Sequence, residues 1–167
     1  GLREKTMAKT IFYGFDAKAD VKVSNYKLIF SGKDLSKTGM SFRLEYKGSF
    51  VPVRVKNVFG KPQVYALAAG AAVGLSLGMN LVEIAEAMKD YQIPEGRTKF
   101  MPGINNTWIL DDAYNASPDS VLASLDLIES APVKRRIVAL GDMKELGNLS
   151  EQAHQLIGLA IAEKNID

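Results

Sequence analysis

Two adjacent carboxylates, a phenol and a carboxamide, Asp111, Asp112, Tyr114 and Asn115, stand between a short apolar run and a helix start. Such a set can hold a magnesium ion, accept hydrogen bonds from ribose hydroxyls or act as a general base, and a pair of aspartates alone does not choose among these. Trp108, Ile109 and Leu110 are β-prone. Ser117 and Pro118 have the order of an N-cap and a first helical residue, with Asp119 in the first turn. The polar residues therefore lie on a strand-to-helix loop, and open parallel sheets bind ligands outside the carboxyl ends of their strands. Asp and Asn are also ordinary turn formers, so a purely structural loop stays open at this point.

Other residues can join that chemistry. Gly141, Asp142 and Met143 follow a second expected strand, which puts Asp142 on the same sheet edge as the first loop, although a solvated turn is the plainer alternative. Arg97, in a Gly96-Arg97 pair, has a guanidinium able to bind a phosphate bidentately, although most linker arginines are simply solvated. His154 is the single histidine, and in the last helix it reads as a surface or packing residue before a catalyst. With no cysteine, disulfides and thiolate chemistry are excluded, and a single histidine with no Glu at ligand spacing argues against a zinc site. No G-x-x-x-x-G-K-[ST] run occurs, so the usual backbone cradle for nucleotide β- and γ-phosphates is missing from these residues.

The elements that must position these residues fall into two halves. Short β-prone runs separated by turn residues are expected at 10–13, 21–23, 27–30, 41–46 and 50–55, with a hairpin turn at Lys47-Gly48-Ser49. Phe42, Leu44 and Tyr46 alternate with polar residues and predict one buried face. A helix follows over 63–77 with Gly78 beyond its end, then a second over 80–91 in which Leu81, Ile84, Ala85 and Met88 share a face. Gly70, Gly74 and Gly78 suit close helix packing. Pro94, Gly96, Pro102 and Gly103 mark 93–106 as an inter-domain linker. Strand 107–110, helix 118–129, strand 136–140 and helix 151–164, with Ser150 as its N-cap, then predict a right-handed βαβ unit. The fold class is α/β, with domains at 1–95 and 96–167.

The 167 residues carry 21 basic and 19 acidic side chains, a formal charge of +2, which gives no electrostatic case for nucleic acid as a partner. The most apolar stretch, 64–77, spans about 14 residues against the roughly 20 needed to cross a bilayer, so it reads as a buried helix. No secretory signal opens the chain, and the cytoplasm is the expected location. Beginning at Gly1, the sequence reads as an excised piece.

The run DDAYNASPDS, followed by IVALGDMKELGNLSEQAHQLIG, resembles the carboxy-terminal domain of the Mur ligases. The stretch GKPQVYALAAGAAVGLSLG and the Gly96-Arg97 pair resemble the end of that family's central ATPase domain and its hinge. The resemblance implies a central-domain end followed by a partial Rossmann-like βαβα carboxy-terminal domain. It also implies an ATP-dependent amide ligase of peptidoglycan synthesis, using ATP and Mg2+, that joins D-alanyl-D-alanine to UDP-N-acetylmuramoyl-tripeptide through an acyl phosphate. By the same likeness Arg97 contacts the ATP phosphates on domain closure, Asp112 binds the ribose hydroxyls, and Asn115 and Ser117 shape that loop. Asp142, Met143 and Glu145 face the incoming dipeptide. The phosphate loop and the magnesium ligands of the family precede the matched part, so the chain is expected to be inactive alone and to need the amino-terminal half of the ligase. Gly60-Lys61-Pro62-Gln63 departs from the family's G-x-H-N pattern, in which the Asn touches the nucleotide base. Two alternatives remain: a non-catalytic nucleotide- or partner-binding module of the same fold, and a folylpolyglutamate synthase-like ligase.

Overall fold

A computed structural model describes residues 2–31, 34, 37–164 and 166–167. The architecture is mixed α/β. Four strands, β1 (Tyr13–Gly14), β2 (Val21–Ile29), β3 (Gly39–Tyr46) and β4 (Ser49–Lys56), form one sheet in sequence order. They precede α1 (Lys61–Ser76) and α2 (Leu81–Lys89). A two-stranded sheet of β5 (Lys99–Pro102) and β6 (Trp108–Asp111) then leads to α3 (Pro118–Ser130) and α4 (Ser150–Glu163).

The chain divides into two compact units, the first made of 1–27, 41–55 and 63–91. Its buried strand positions alternate: Val21 and Val23, Phe42 and Leu44, Val53 and Val55 are each at most 3% exposed, and Tyr46, the third residue of the predicted face, is half-buried. The expected runs at 21–23 and 27–30 merge into the single strand β2, and the first strand is parallel to it, Tyr13 pairing with Val21. At the β3–β4 hairpin Lys47 and Gly48 both have positive φ, 47° and 79°, as a tight type I′ connection requires. In α2 the four predicted residues Leu81, Ile84, Ala85 and Met88 are all buried. Its start is fixed by a capping box in which Asn80 Oδ1 accepts from Val82 N and Glu83 N while Glu83 accepts from Asn80 N.

Helix α1 is buried on one face only: Val64, Leu67 and Ala68 are covered, whereas Tyr65 and Val73 are 45% and 59% exposed. Of the three spaced glycines, Gly74 alone is a packing glycine, since a Cβ there would lie 3.1 Å from Met79 Sδ and 3.3 Å from Ile84. Gly78 instead ends the helix with φ of 92°.

The second unit is made of 28–40, 56–62 and 92–167. One of its cores is aromatic. The rings of Phe59 and Phe100 meet edge-to-face at 4.8 Å, Phe30 stacks on Phe59, and Trp108 closes the group over Leu127. Its other core joins Val121 and Leu125 of α3 to Ala153 and Ile157 of α4, with Met143 and Ile166. Burying a leucine as fully as Leu125, 1% exposed, contributes about 1.5–3 kcal/mol. Lys164 ties the helices together by hydrogen bonds to Asp126 and Glu129, which hold its ammonium above the usual lysine range.

Three expectations fail here, each for a local reason. The segment expected as a linker contains β5, whose residues pair antiparallel with β6, Phe100 opposite Leu110. Its turn carries Asn105 and Asn106 at φ of 52° and 58°, a conformation that Asn tolerates better than most residues. The expected strand 136–140 does not form among the described residues. Asp167 makes one bridge to it, donating to Arg136 O at 2.9 Å and accepting from Val138 N at 2.7 Å. Ile137 and Leu140 lie 63% and 51% exposed, so no neighbour rewards extended pairing. The Arg136 guanidinium donates instead to the carbonyls of Ile128, Glu129 and Ala131, capping the end of α3. Ser150 is not the N-cap of α4: a 3-10 turn over Gly147–Leu149 runs directly into the helix and places Ser150 inside it.

Candidate functional site

Strand β6 ends at Asp111, and the loop beyond it reaches the start of α3. Asp111 Oδ1 accepts from Ala113 N at 3.2 Å and shapes the turn itself. Asp112 points the other way. Its Oδ1 accepts from Thr98 N at 2.9 Å and from the Thr98 hydroxyl at 3.2 Å, and its Oδ2 accepts from the Ser124 hydroxyl of α3. One carboxylate thus joins the 96–98 segment, the end of β6 and a helix. A carboxylate offers about four acceptor positions, so Oδ2 retains one for an outside donor.

The 96–98 segment is built for this contact. Gly96 has φ of 71° and accepts from Tyr114 N through its carbonyl at 3.0 Å. Thr98 has φ of 45°, an outlier for a β-branched residue, held where Asp112 takes both of its donors. Between them the Arg97 guanidinium lies 4.3 Å from the centroid of the Tyr114 ring. Both side chains are exposed, and among the described residues no carboxylate pairs with this guanidinium. Arg97 is therefore held in place by stacking with its donors still available to an anion. A Cβ at Gly96 would sit 3.2 Å from Tyr114 Cβ and 3.3 Å from its nitrogen. Gly96→Ala is expected to cost about 1–2 kcal/mol, from the left-handed backbone and this crowding, measurable as a lowered urea midpoint.

Asn115 Oδ1 accepts from Ala116 N, and Ser117 is the N-cap of α3 in a reciprocal arrangement with Ser120. Asp142 is 73% exposed in its side chain and lies 2.8 Å from His154 Nε2. Met143 has its side chain in the core, 4% exposed, and Glu145 is exposed with φ of 64°. The predicted residues therefore form two groups, Arg97 with Asp112 and Tyr114, and Asp142 with Met143 and His154. Among the described residues no hydrogen bond or ion pair joins them. Thr98 and Ser124 were not legible as partners of Asp112; the only signal was a hydroxyl on α3 one turn beyond its capping box. Among the described residues no three acids or histidines cluster as a metal site.

Residues 96–167 match the family model described as "Mur ligase, glutamate ligase domain". The UDP-N-acetylmuramoyl-tripeptide--D-alanyl-D-alanine ligase of Synechocystis sp. is 33% identical over 99 residues, which cover 59% of this chain and 22% of that protein. Residues 96–167 thus match a Mur ligase domain, and the relatives of the chain are Mur ligases. Solved Mur ligases share the fold: MurF from Acinetobacter baumannii superposes with a TM-score of 0.76 at 27% identity, covering 93% of this chain and 32% of that one. MurF from Thermotoga maritima, solved in complex with ADP, gives a TM-score of 0.76 at 24% identity, covering 92% of this chain and 33% of that one, a likeness of fold. The chain thus spans about a quarter to a third of the length of the Mur ligases it matches.

Proposed function

We propose that this chain supplies the closing side of the nucleotide site and the acceptor-facing loop of an ATP-dependent amide ligase of peptidoglycan precursor synthesis. Its reaction joins D-alanyl-D-alanine to UDP-N-acetylmuramoyl-tripeptide. The observation that carries this is the clasp of Gly96, Arg97 and Thr98 on Asp112 and Tyr114, which falls inside the segment matching the Mur ligase domain. We take 1–95 as the end of the central ATPase domain and 96–167 as the start of the carboxy-terminal domain.

In such a ligase the tripeptide carboxylate attacks the γ-phosphate of ATP, and the amine of the dipeptide displaces phosphate from the resulting acyl phosphate. The residues here position and neutralise. Arg97 brings a cation already oriented by Tyr114 to the phosphates, and the remaining acceptor position of Asp112 Oδ2 takes a ribose hydroxyl. Asn115 and Ser117 hold the loop between them. Asp142 and Glu145 present carboxylates toward the dipeptide ammonium, and the buried Met143 fixes the backbone between them. Magnesium, which would neutralise phosphate charge when bound, finds no third acid or histidine beside Asp111 and Asp112 among the described residues. We assign its ligands, and the phosphate loop, to sequence outside these residues. Both nucleotide-linked substrates place the reaction in the cytoplasm.

The test is phosphate release from ATP by the ligase carrying this segment. Release that requires both the UDP-linked tripeptide and D-alanyl-D-alanine is expected. Release driven equally by a single amino acid in place of the dipeptide would overturn the assignment.

A further inference from the structure

His154 stands between two partners that it cannot serve with the same proton. Its Nδ1 lies 2.7 Å from the Ser150 carbonyl oxygen, which only accepts, so Nδ1 carries a proton in every state of the ring that keeps this bond. Its Nε2 lies 3.2 Å from Met143 N, which donates to it, and 2.8 Å from Asp142 Oδ1, which accepts. A neutral ring leaves Nε2 bare, able to take the Met143 N–H and repelled by the Asp142 carboxylate. A charged ring puts a proton on Nε2, which then bonds Asp142 and deprives Met143 N of its acceptor.

We propose that His154 is a positioning residue for the 142–145 segment, pinning the Met143 backbone when neutral and the Asp142 side chain when charged. The Met143 side chain stays in the core with Val121, Leu125, Ala153 and Ile157, so the exchange turns the segment about a fixed point and re-aims the exposed carboxylates on either side of it. Asp142 is the charged group facing the ring from the loop. From α4 the ring meets the carbonyl and, at 3.5 Å, the hydroxyl of Ser150, and from α3 the packing against this region is apolar. Ser150, His154 and Asp142 have the composition of a nucleophilic triad but not its function, because the Nδ1 proton aimed at the Ser150 carbonyl leaves no base for the hydroxyl. The link to catalysis rests on the segment being the acceptor loop; the proton exchange does not.

The experiment is a nitrogen-15 NMR pH titration of the 167-residue chain, following the His154 ring nitrogens and the loop amides. Expected at the alkaline end is the tautomer with the proton on Nδ1. On acidification the Met143 amide should shift with the midpoint of the ring. In His154→Gln that shift should vanish, and in Asp142→Asn, which leaves α4 untouched, the Met143 amide should still follow the ring. The opposite tautomer, or a Met143 amide indifferent to ring protonation in the parent or in Asp142→Asn, would overturn the proposal. In the ligase, His154→Gln should raise KM for D-alanyl-D-alanine several-fold and flatten its pH dependence, with KM for ATP unchanged. An unchanged dipeptide KM beside the expected NMR result would remove the acceptor-loop assignment and leave the proton exchange standing.

Discussion

Replacing Arg97 by alanine is expected to lower turnover of the ligase by about 10²–10³-fold, the usual loss when one preorganised donor to a developing oxyanion is removed. The size follows from how the guanidinium is held. It is stacked over Tyr114 with its donors uncommitted, so a phosphate presented to it would be met without prior reorganisation. On the proposed role in the closed state, kcat and kcat/KM should fall together, and steady-state kinetics at varied ATP checks this. A rise in KM for ATP with kcat intact would make Arg97 a ground-state contact only. Stability should hardly change, since an exposed cation–π contact contributes about 0.5–1 kcal/mol. Lysine at 97 should restore only part of the loss, because it keeps the charge but not the planar fork.

Asp112→Ala should be the most destabilising change in the loop. A loop position by itself implies little cost to stability. The Asp112 carboxylate instead accepts from Thr98 N, the Thr98 hydroxyl and the Ser124 hydroxyl. Bonds to a charged acceptor contribute about 1.5–3 kcal/mol each when buried, and these half-exposed ones less. Relaxing Thr98 from its left-handed backbone returns part of the loss, so a net cost of about 2–3 kcal/mol is expected, read from urea unfolding. A loss below about 0.5 kcal/mol, the scale of an ordinary surface change, would show that the latch contributes nothing. Asp112→Asn, which keeps an acceptor oxygen for Thr98, should retain most of the stability.

These two residues also mark where sequence reading succeeds and where it stops. Local chemistry was legible: the alternation of Phe42 and Leu44, the apolar face of α2, the Ser117-Pro118 helix start and the position of the acidic loop depend on neighbours within a few residues. Non-local pairing was not. The bond between Thr98 and Asp112 spans 14 residues, and nothing in either local sequence specifies it. Strand β5 was hidden because Pro102 and Gly103, which mark a linker, here bound one strand of a hairpin closed by two left-handed asparagines. The segment 136–140 has the composition of a strand, but a strand is defined by its neighbour, and its arginine is occupied in capping α3. Ser117 caps α3 as its order with Pro118 predicts, whereas Met143, expected to face the dipeptide, is first a core side chain.

The most direct measurement is the affinity of magnesium-ATP for the ligase carrying this segment, by calorimetry, with Asp112→Asn beside the parent. If the free acceptor position of Asp112 takes a ribose hydroxyl, the variant should remain folded and bind about tenfold more weakly, the loss of one charge-assisted hydrogen bond. Equal affinity in a folded variant would mean that the clasp of Thr98, Asp112 and Ser124 is purely structural and that the nucleotide binds elsewhere.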